Sequence, residues 1–101
     1  MLNVLGIQTV NFDFDDSKDS TRTVDQNVSV PSGATSMQVF LKSFDLAYTD
    51  SEEYGFGRLQ INVEALSVQE AQCTVTLRDN NTNYREWSGS VTAIAVSFEG
   101  S

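Results

Sequence analysis

Along most of this chain apolar and polar residues alternate one by one, the period of half-buried β-strands, whose successive side chains point to opposite faces. Val10, Phe12 and Phe14 alternate with Asn11, Asp13 and Asp15. Val24, Val28 and Val30 share one parity, while Thr23, Asp25, Asn27 and Ser29 take the other. Met37, Val39 and Leu41 repeat the pattern, and Leu59, Ile61, Val63 and Ala65 oppose Arg58, Gln60, Asn62 and Glu64. Cys73, Val75 and Leu77 are set inward against Thr74, Thr76 and Arg78. In the last segment Ile94, Val96 and Phe98 are expected to face inward, against Ala93, Ala95 and Ser97.

Between these segments stand DDSKDS (15–20), PSGATS (31–36), TDSEEYGFG (49–57) and DNNTN (79–83), rich in the Asp, Asn, Ser, Gly and Pro that turns prefer. No stretch keeps a helical period; SVQEAQ (67–72) comes nearest and is too short. The pattern predicts an all-β fold, a six-stranded antiparallel β-sandwich, with residues 1–101 forming one domain. A strand with only Ala93, Ala95 and Ser97 on its outer face would let another surface approach closely, either the chain's own or a second subunit's. Phe40, on the polar parity of its strand, is a further candidate for burial between subunits.

Composition narrows the function. Six Lys and Arg against 14 Asp and Glu leave a net charge of −8, which disfavours nucleic acid and anionic membranes. With no histidine, Ser–His–Asp and Cys–His nucleophile pairs and the usual Cys/His zinc sites are excluded. Cys73 is the one cysteine, so no intrachain disulfide can form. The start, MLNVLGIQTVNFDF, has no basic segment, long apolar run or small-residue cleavage site, and no run approaches the length that spans a bilayer. The expectation is a soluble binding or assembly module without cofactor, cytoplasmic or non-classically exported, and not an enzyme.

Two polar clusters could carry chemistry. Asp13, Asp15, Asp16 and Asp19 could offer oxygen ligands to a hard cation such as Ca²⁺. The EF-hand frame fails, because Lys18 follows Ser17 and Val24 stands at the twelfth position, so a solvated acidic loop is the favoured alternative. The second cluster runs Asp79, Asn80, Asn81, Thr82, Asn83, Tyr84, Arg85, Glu86, Trp87. Amides, a carboxylate, a guanidinium and aromatic rings together suit a sugar, which offers vicinal hydroxyls and a C–H face. Trp87 fits either such a loop or the core. Paired carboxylates could also suggest a glycosidase, but the acids fall on turns and outward strand faces with no apolar pocket to raise one pKa.

Asp19-Ser-Thr-Arg22 followed by Asn27-Val-Ser-Val30 resembles the second-strand signature of the H-type lectins, the family of snail agglutinins and of the discoidin C-terminal domain. Val39-Phe-Leu41, an acidic loop and Gly57-Arg58-Leu59 resemble that family's third and fourth strands. Val4-Leu-Gly6-Ile7 is similar to its first strand and Ser90 to Phe98 to its last. The resemblance implies a trimer or hexamer that binds galactose or N-acetylgalactosamine in clefts between subunits. It implies that Asp19 accepts from sugar hydroxyls and that Arg58 reaches across the interface. Where the family carries a Trp-His pair, this chain has Asp79-Asn80, so Tyr84 or Trp87 would have to supply the ring. Cys73 lies near a family cysteine whose first-strand partner is replaced here, in the region of Thr9 and Val10. The sugar-site set is therefore Asp19, Arg58, Asp79, Asn80, Tyr84 and Trp87. Acidic loops at 13–19 and 45–53 would favour a neutral or cationic ligand over a sialylated or sulfated one. The alternative is a structural or interaction domain that keeps the trimeric sandwich without sugar.

Overall fold

A computed structural model of the chain describes residues 3–49, 56–79 and 85–100. Six strands follow in order: β1 Asn3–Ser17, β2 Thr21–Asn27, β3 Ser36–Tyr48, β4 Phe56–Ser67, β5 Glu70–Asp79 and β6 Trp87–Glu99. They form two three-stranded antiparallel sheets, β1-β6-β3 and β2-β5-β4, packed as a sandwich with no helix among the described residues. At one flank β1 lies against β2, and at the other β3 lies against β4. The segment expected to come nearest to a helix instead ends β4, turns at Val68-Gln69 and opens β5.

The chain crosses between sheets twice in its first half. Residues 18–20 carry it from β1 to β2, and residues 28–35 return it to β3. In the second crossing Ala34 N–H donates to the Pro31 carbonyl at 3.3 Å, and Gly33 sits at φ 96°. That is the left-handed conformation a type II turn needs at its third residue, where glycine adds no Cβ clash.

Alternation predicts the interior of five strands. Val10 and Phe14 of β1 are buried and Phe12 is fully so, as are Cys73 and Val75 of β5, with Met37 and Leu77 close behind. Val24, Val39, Leu59, Ile61 and Val63 pack against them partly buried. The sixth strand corrects the sequence reading. Val91, Ala93, Ala95 and Ser97 face the interior, and Ile94, Val96 and Phe98 stand on the outer face. The small-residue stripe is thus covered by the chain's own second sheet. As the central strand, β6 lies between Phe12 and Phe44 at Val91 and between Val10 and Leu41 at Ala93. Small side chains there leave room for the larger ones contributed by its neighbours.

The two outer faces differ in kind. Outside β2-β5-β4, Thr21 and Thr76 share a hydroxyl hydrogen bond of 2.8 Å, Thr23 and Thr74 one of 3.0 Å, and Gln72 donates to Asp25 at 3.0 Å. Outside β1-β6-β3, register rows set Val4 beside Phe98, Ile7 beside Val96, and Thr9 beside Ile94 and Phe40. Val4 is 58% exposed, Ile7 67% and Phe40 50%. The β1-β6-β3 outer face is thus the more apolar of the two.

Cys73 is wholly buried between Val24 and Val63, and burial pushes its thiol from an ordinary 9.0 up to about 11. The unfolded chain therefore releases this proton first as pH rises. Stability from the neutral thiol is complete below pH 9 and is lost as pH climbs through about 11, by about 2–3 kcal/mol. Urea unfolding at pH 8 and pH 11 is expected to show that extra loss in the wild type and not in Cys73→Ala. Equal pH dependence in the two proteins would contradict it.

Candidate functional site

The loop that carries Asp19 is fastened from below by two residues that lie 65 positions apart in sequence, Arg22 and Trp87. Arg22 lies on the inward parity of β2, in line with Val24, where an apolar residue would be the rule. Its guanidinium lies 3.6 Å from the centroid of the Trp87 ring and 5.8 Å from that of Phe14, a cation–π arrangement in a partly dry setting. The Phe14 and Trp87 rings are themselves 5.6 Å apart and tilted by 34°. One Arg22 nitrogen donates to the Trp87 carbonyl at 2.7 Å and another to the Asp15 carbonyl. The Trp87 indole N–H donates to the Asp19 carbonyl at 2.9 Å. Burial lowers the pKa of Arg22, opposed by Asp19, Asp15 and Asp16, and the group stays cationic because guanidinium titrates so far above neutrality.

These bonds hold the backbone of Asp19 and leave its side chain outside. Its N–H donates to Ser17 Oγ at 3.2 Å, its carbonyl is held by Trp87, and its exposed carboxylate makes no hydrogen bond with a described residue. A depression of about 510 Å³ lies beside it, lined by Lys18, Asp19, Ser20 and Thr21. Among the described residues one short segment makes this lining.

The remaining sugar-site residues are distributed differently from the sequence expectation. Trp87 is fully buried, so its faces are taken by Arg22 and Phe14 and it cannot stack on a ligand in this conformation. Asp79 is also fully buried and its carboxylate accepts from Arg85 Nε at 2.9 Å, an ion pair joining the two ends of the 80–84 segment. Both residues act from inside the fold, because β5 ends and β6 begins in the layer between the sheets. Beside them, burial and the charge of Asp79 raise the Tyr48 phenol above its ordinary range, opposed by Arg78 and Arg85. Asn80 and Tyr84 lie outside the described residues.

Arg58 is exposed on the outer face of β4, and its register partner Arg78 stands beside it on β5. Ser20 accepts from Leu77 N–H at 2.8 Å, which brings Asp19 to the same end of this sheet as Arg78 and Arg58. Asp19 and Arg58 nevertheless sit at opposite edges, roughly 10 Å apart by two strand spacings. Among the described residues, no group of three or more acidic or cysteine side chains is placed to hold a metal ion; Asp13, Asp15, Asp16 and Asp19 are not brought together as ligands.

Comparisons with protein-family models, with curated proteins and with solved structures find no significant match. The site is therefore defined by its own geometry. Two of its residues were not picked out from the sequence as site residues: Arg22, which builds the loop, and Arg78, which doubles the charge at Arg58. Arg22 carried a signal, a cation on the apolar parity of its strand. Arg78 carried none beyond an outward position.

Proposed function

We propose that this chain is a non-catalytic, lectin-like carbohydrate-binding module that assembles as a trimer and holds a neutral galactose- or N-acetylgalactosamine-like sugar between neighbouring copies. The observation that carries this reading is where the exposed apolar side chains fall. Val4, Ile7 and Phe40 share the outer face of β1-β6-β3, and Leu41, Phe44 and Leu66 lie on β3 and β4, the strands of one flank. A ring of three copies turning that outer face to a common axis would bring the β3–β4 flank of each against the β1–β2 flank of the next. The rows from Ser36–Phe98–Val4 to Phe40–Ile94–Thr9 carry no charged residue, so chains of net charge −8 can approach there without direct like-charge contact.

The same arrangement completes the ligand site. Asp19 follows β1 at one flank and Arg58 stands on β4 at the other, so the Asp19 depression of one copy would face Arg58 of its neighbour. A carboxylate can accept from two sugar hydroxyls, and a guanidinium presents a rigid fork of donors. Three such sites on one assembly would give weak individual binding a useful avidity. The burial of Trp87 and Asp79 favours a second reading, an assembly domain that keeps the trimer and binds no sugar.

Calorimetric titration with galactose and N-acetylgalactosamine separates the two. Binding is expected in the wild type, with Asp19→Ala and Arg58→Ala each weakening it about ten- to a hundredfold, the worth of a hydrogen bond to a charged group. A trimer that binds neither sugar would leave only the second reading, and binding that survives Asp19→Ala would overturn the site.

A further inference from the structure

At the end of the sandwich away from Asp19 lies an open concavity of about 810 Å³, lined by residues of both sheets. Its size falls in the range of small-molecule sites. Three separate elements supply polar groups to it: Gln8 from β1, Asn27 and Ser29 from the chain leaving β2, and Ser67, Gln69 and Glu70 from the β4–β5 turn. Val28 and Val30 add an apolar portion. Val28 N–H donates to the Gln69 carbonyl at 2.8 Å, tying two of the walls together through the backbone.

Gln8 is out of place by the rules of the core. It occupies the inward column of β1 that continues through Val10, Phe12 and Phe14, and its register partner Ala95 is 1% exposed. An amide at such a position is stable only where its donors and acceptor find water or a ligand. The side chains of Gln8, Asn27, Ser29, Gln69 and Glu70 make no hydrogen bond with a described residue, and Ser67 Oγ accepts only from Gln69 N–H, at 3.3 Å. Gln8 faces inward, whereas Asn27, Ser67 and Glu70 share the last row on the outward parity of β2-β5-β4, so this free hydrogen-bonding capacity gathers around the rim of one concavity.

The lining also selects a ligand. Three amides that both donate and accept, two hydroxyls and one carboxylate match vicinal hydroxyl groups. Among the described residues the lining holds no cation, so an anion would meet Glu70 uncompensated. We propose that this cavity is a second ligand site, for a neutral polyhydroxylated molecule of sugar size. It is separate from the intersubunit site and does not depend on that site binding anything.

Residue-resolved NMR of the isotope-labelled full chain tests this. Galactose and myo-inositol serve as neutral probes, putrescine and glucuronate as charged ones. Saturating shifts are expected at the side-chain amides of Gln8, Asn27 and Gln69 with the neutral probes, and these persist in Asp19→Ala. In Gln8→Leu, which restores an apolar residue to the inward column, and in Glu70→Gln, affinity read at Asn27 and Gln69 is expected to fall about fivefold or more. The proposal is overturned by the absence of saturating shifts at tens of millimolar polyol, by a response to a charged probe alone, or by unchanged binding in both variants.

Discussion

Trp87→Ala is expected to cost this protein more stability than any other single truncation. Removing a fully buried large aromatic side chain costs about 3–5 kcal/mol in general, through lost transfer energy and the cavity left behind. Here two further losses follow. The Asp19 carbonyl loses its indole donor, and the Arg22 guanidinium loses the ring that lies 3.6 Å beneath it. Against a total of about 5–15 kcal/mol for a domain, the variant would stand close to unfolding at room temperature. Trp87→Phe is the more informative partner, since it keeps a six-membered aromatic ring while removing the indole donor and the five-membered ring that carries it. It should unfold about 1–3 kcal/mol more easily than the wild type and, if the proposed sugar site exists, weaken binding there although residue 87 would touch no ligand. Urea unfolding followed by far-ultraviolet circular dichroism gives the first number, and calorimetry the second. A Trp87→Ala protein within 1 kcal/mol of wild type, a threshold of about one net hydrogen bond, would show that the loop is held by something else.

If copies assemble as proposed, Ile94→Asp is expected to convert the trimer into monomers while leaving each chain folded. Ile94 is half-buried on the outer face of β6, between Thr9 and Phe40, and points away from the interior of its own sandwich. In a single chain a carboxylate there reaches water and costs little. In a closed trimer three carboxylates would be driven together on an apolar surface, at a penalty of several kcal/mol for each charge. Asn62→Asp places the same charge on the polar outer face of β4 and should leave the assembly intact. Sedimentation velocity distinguishes the outcomes. If Ile94→Asp still sediments with the wild-type mass, the outer face of β1-β6-β3 does not join the copies.

The sandwich itself was legible because five strands carry one clearly polar face, so alternation reveals both the strand and its inward side. The sixth lacked that contrast. Ile94, Val96 and Phe98 on one parity and Val91, Ala93 and Ala95 on the other are all apolar, and period two cannot say which set faces in. Side-chain size alone favours the larger set for the core, whereas the structure places it on the outer face. Strand lengths were hidden in a different way. In β3 a bulge between Leu41 and Ser43 adds a residue, so Phe44, Leu46 and Tyr48 continue the side begun by Met37 and Val39 although their parity changes.

The site was legible in part for a similar reason. Asp19 and Arg58 are exposed and near one end of the second sheet, as polar residues in turns and outward parities allow. Trp87 and Asp79 stood in a loop composition that suits sugars, yet each is consumed by the fold, one under Arg22 and one beside Arg85. No local pattern could reveal that Arg22 and Trp87, 65 positions apart, build one stack beneath the Asp19 loop.

The claim that Asp19 and Arg58 meet across subunits has a direct test in mixed assemblies. Asp19→Ala chains and Arg58→Ala chains are unfolded together, refolded at equal concentration and titrated with N-acetylgalactosamine. Each variant alone lacks every complete site. In a randomly mixed cyclic trimer, an interface is complete when an intact Asp19 faces an intact Arg58, which occurs in about one quarter of interfaces. A shared site predicts recovery of that fraction of wild-type binding capacity. A mixture that forms trimers and recovers no binding would show that the two residues do not belong to one site between neighbouring chains.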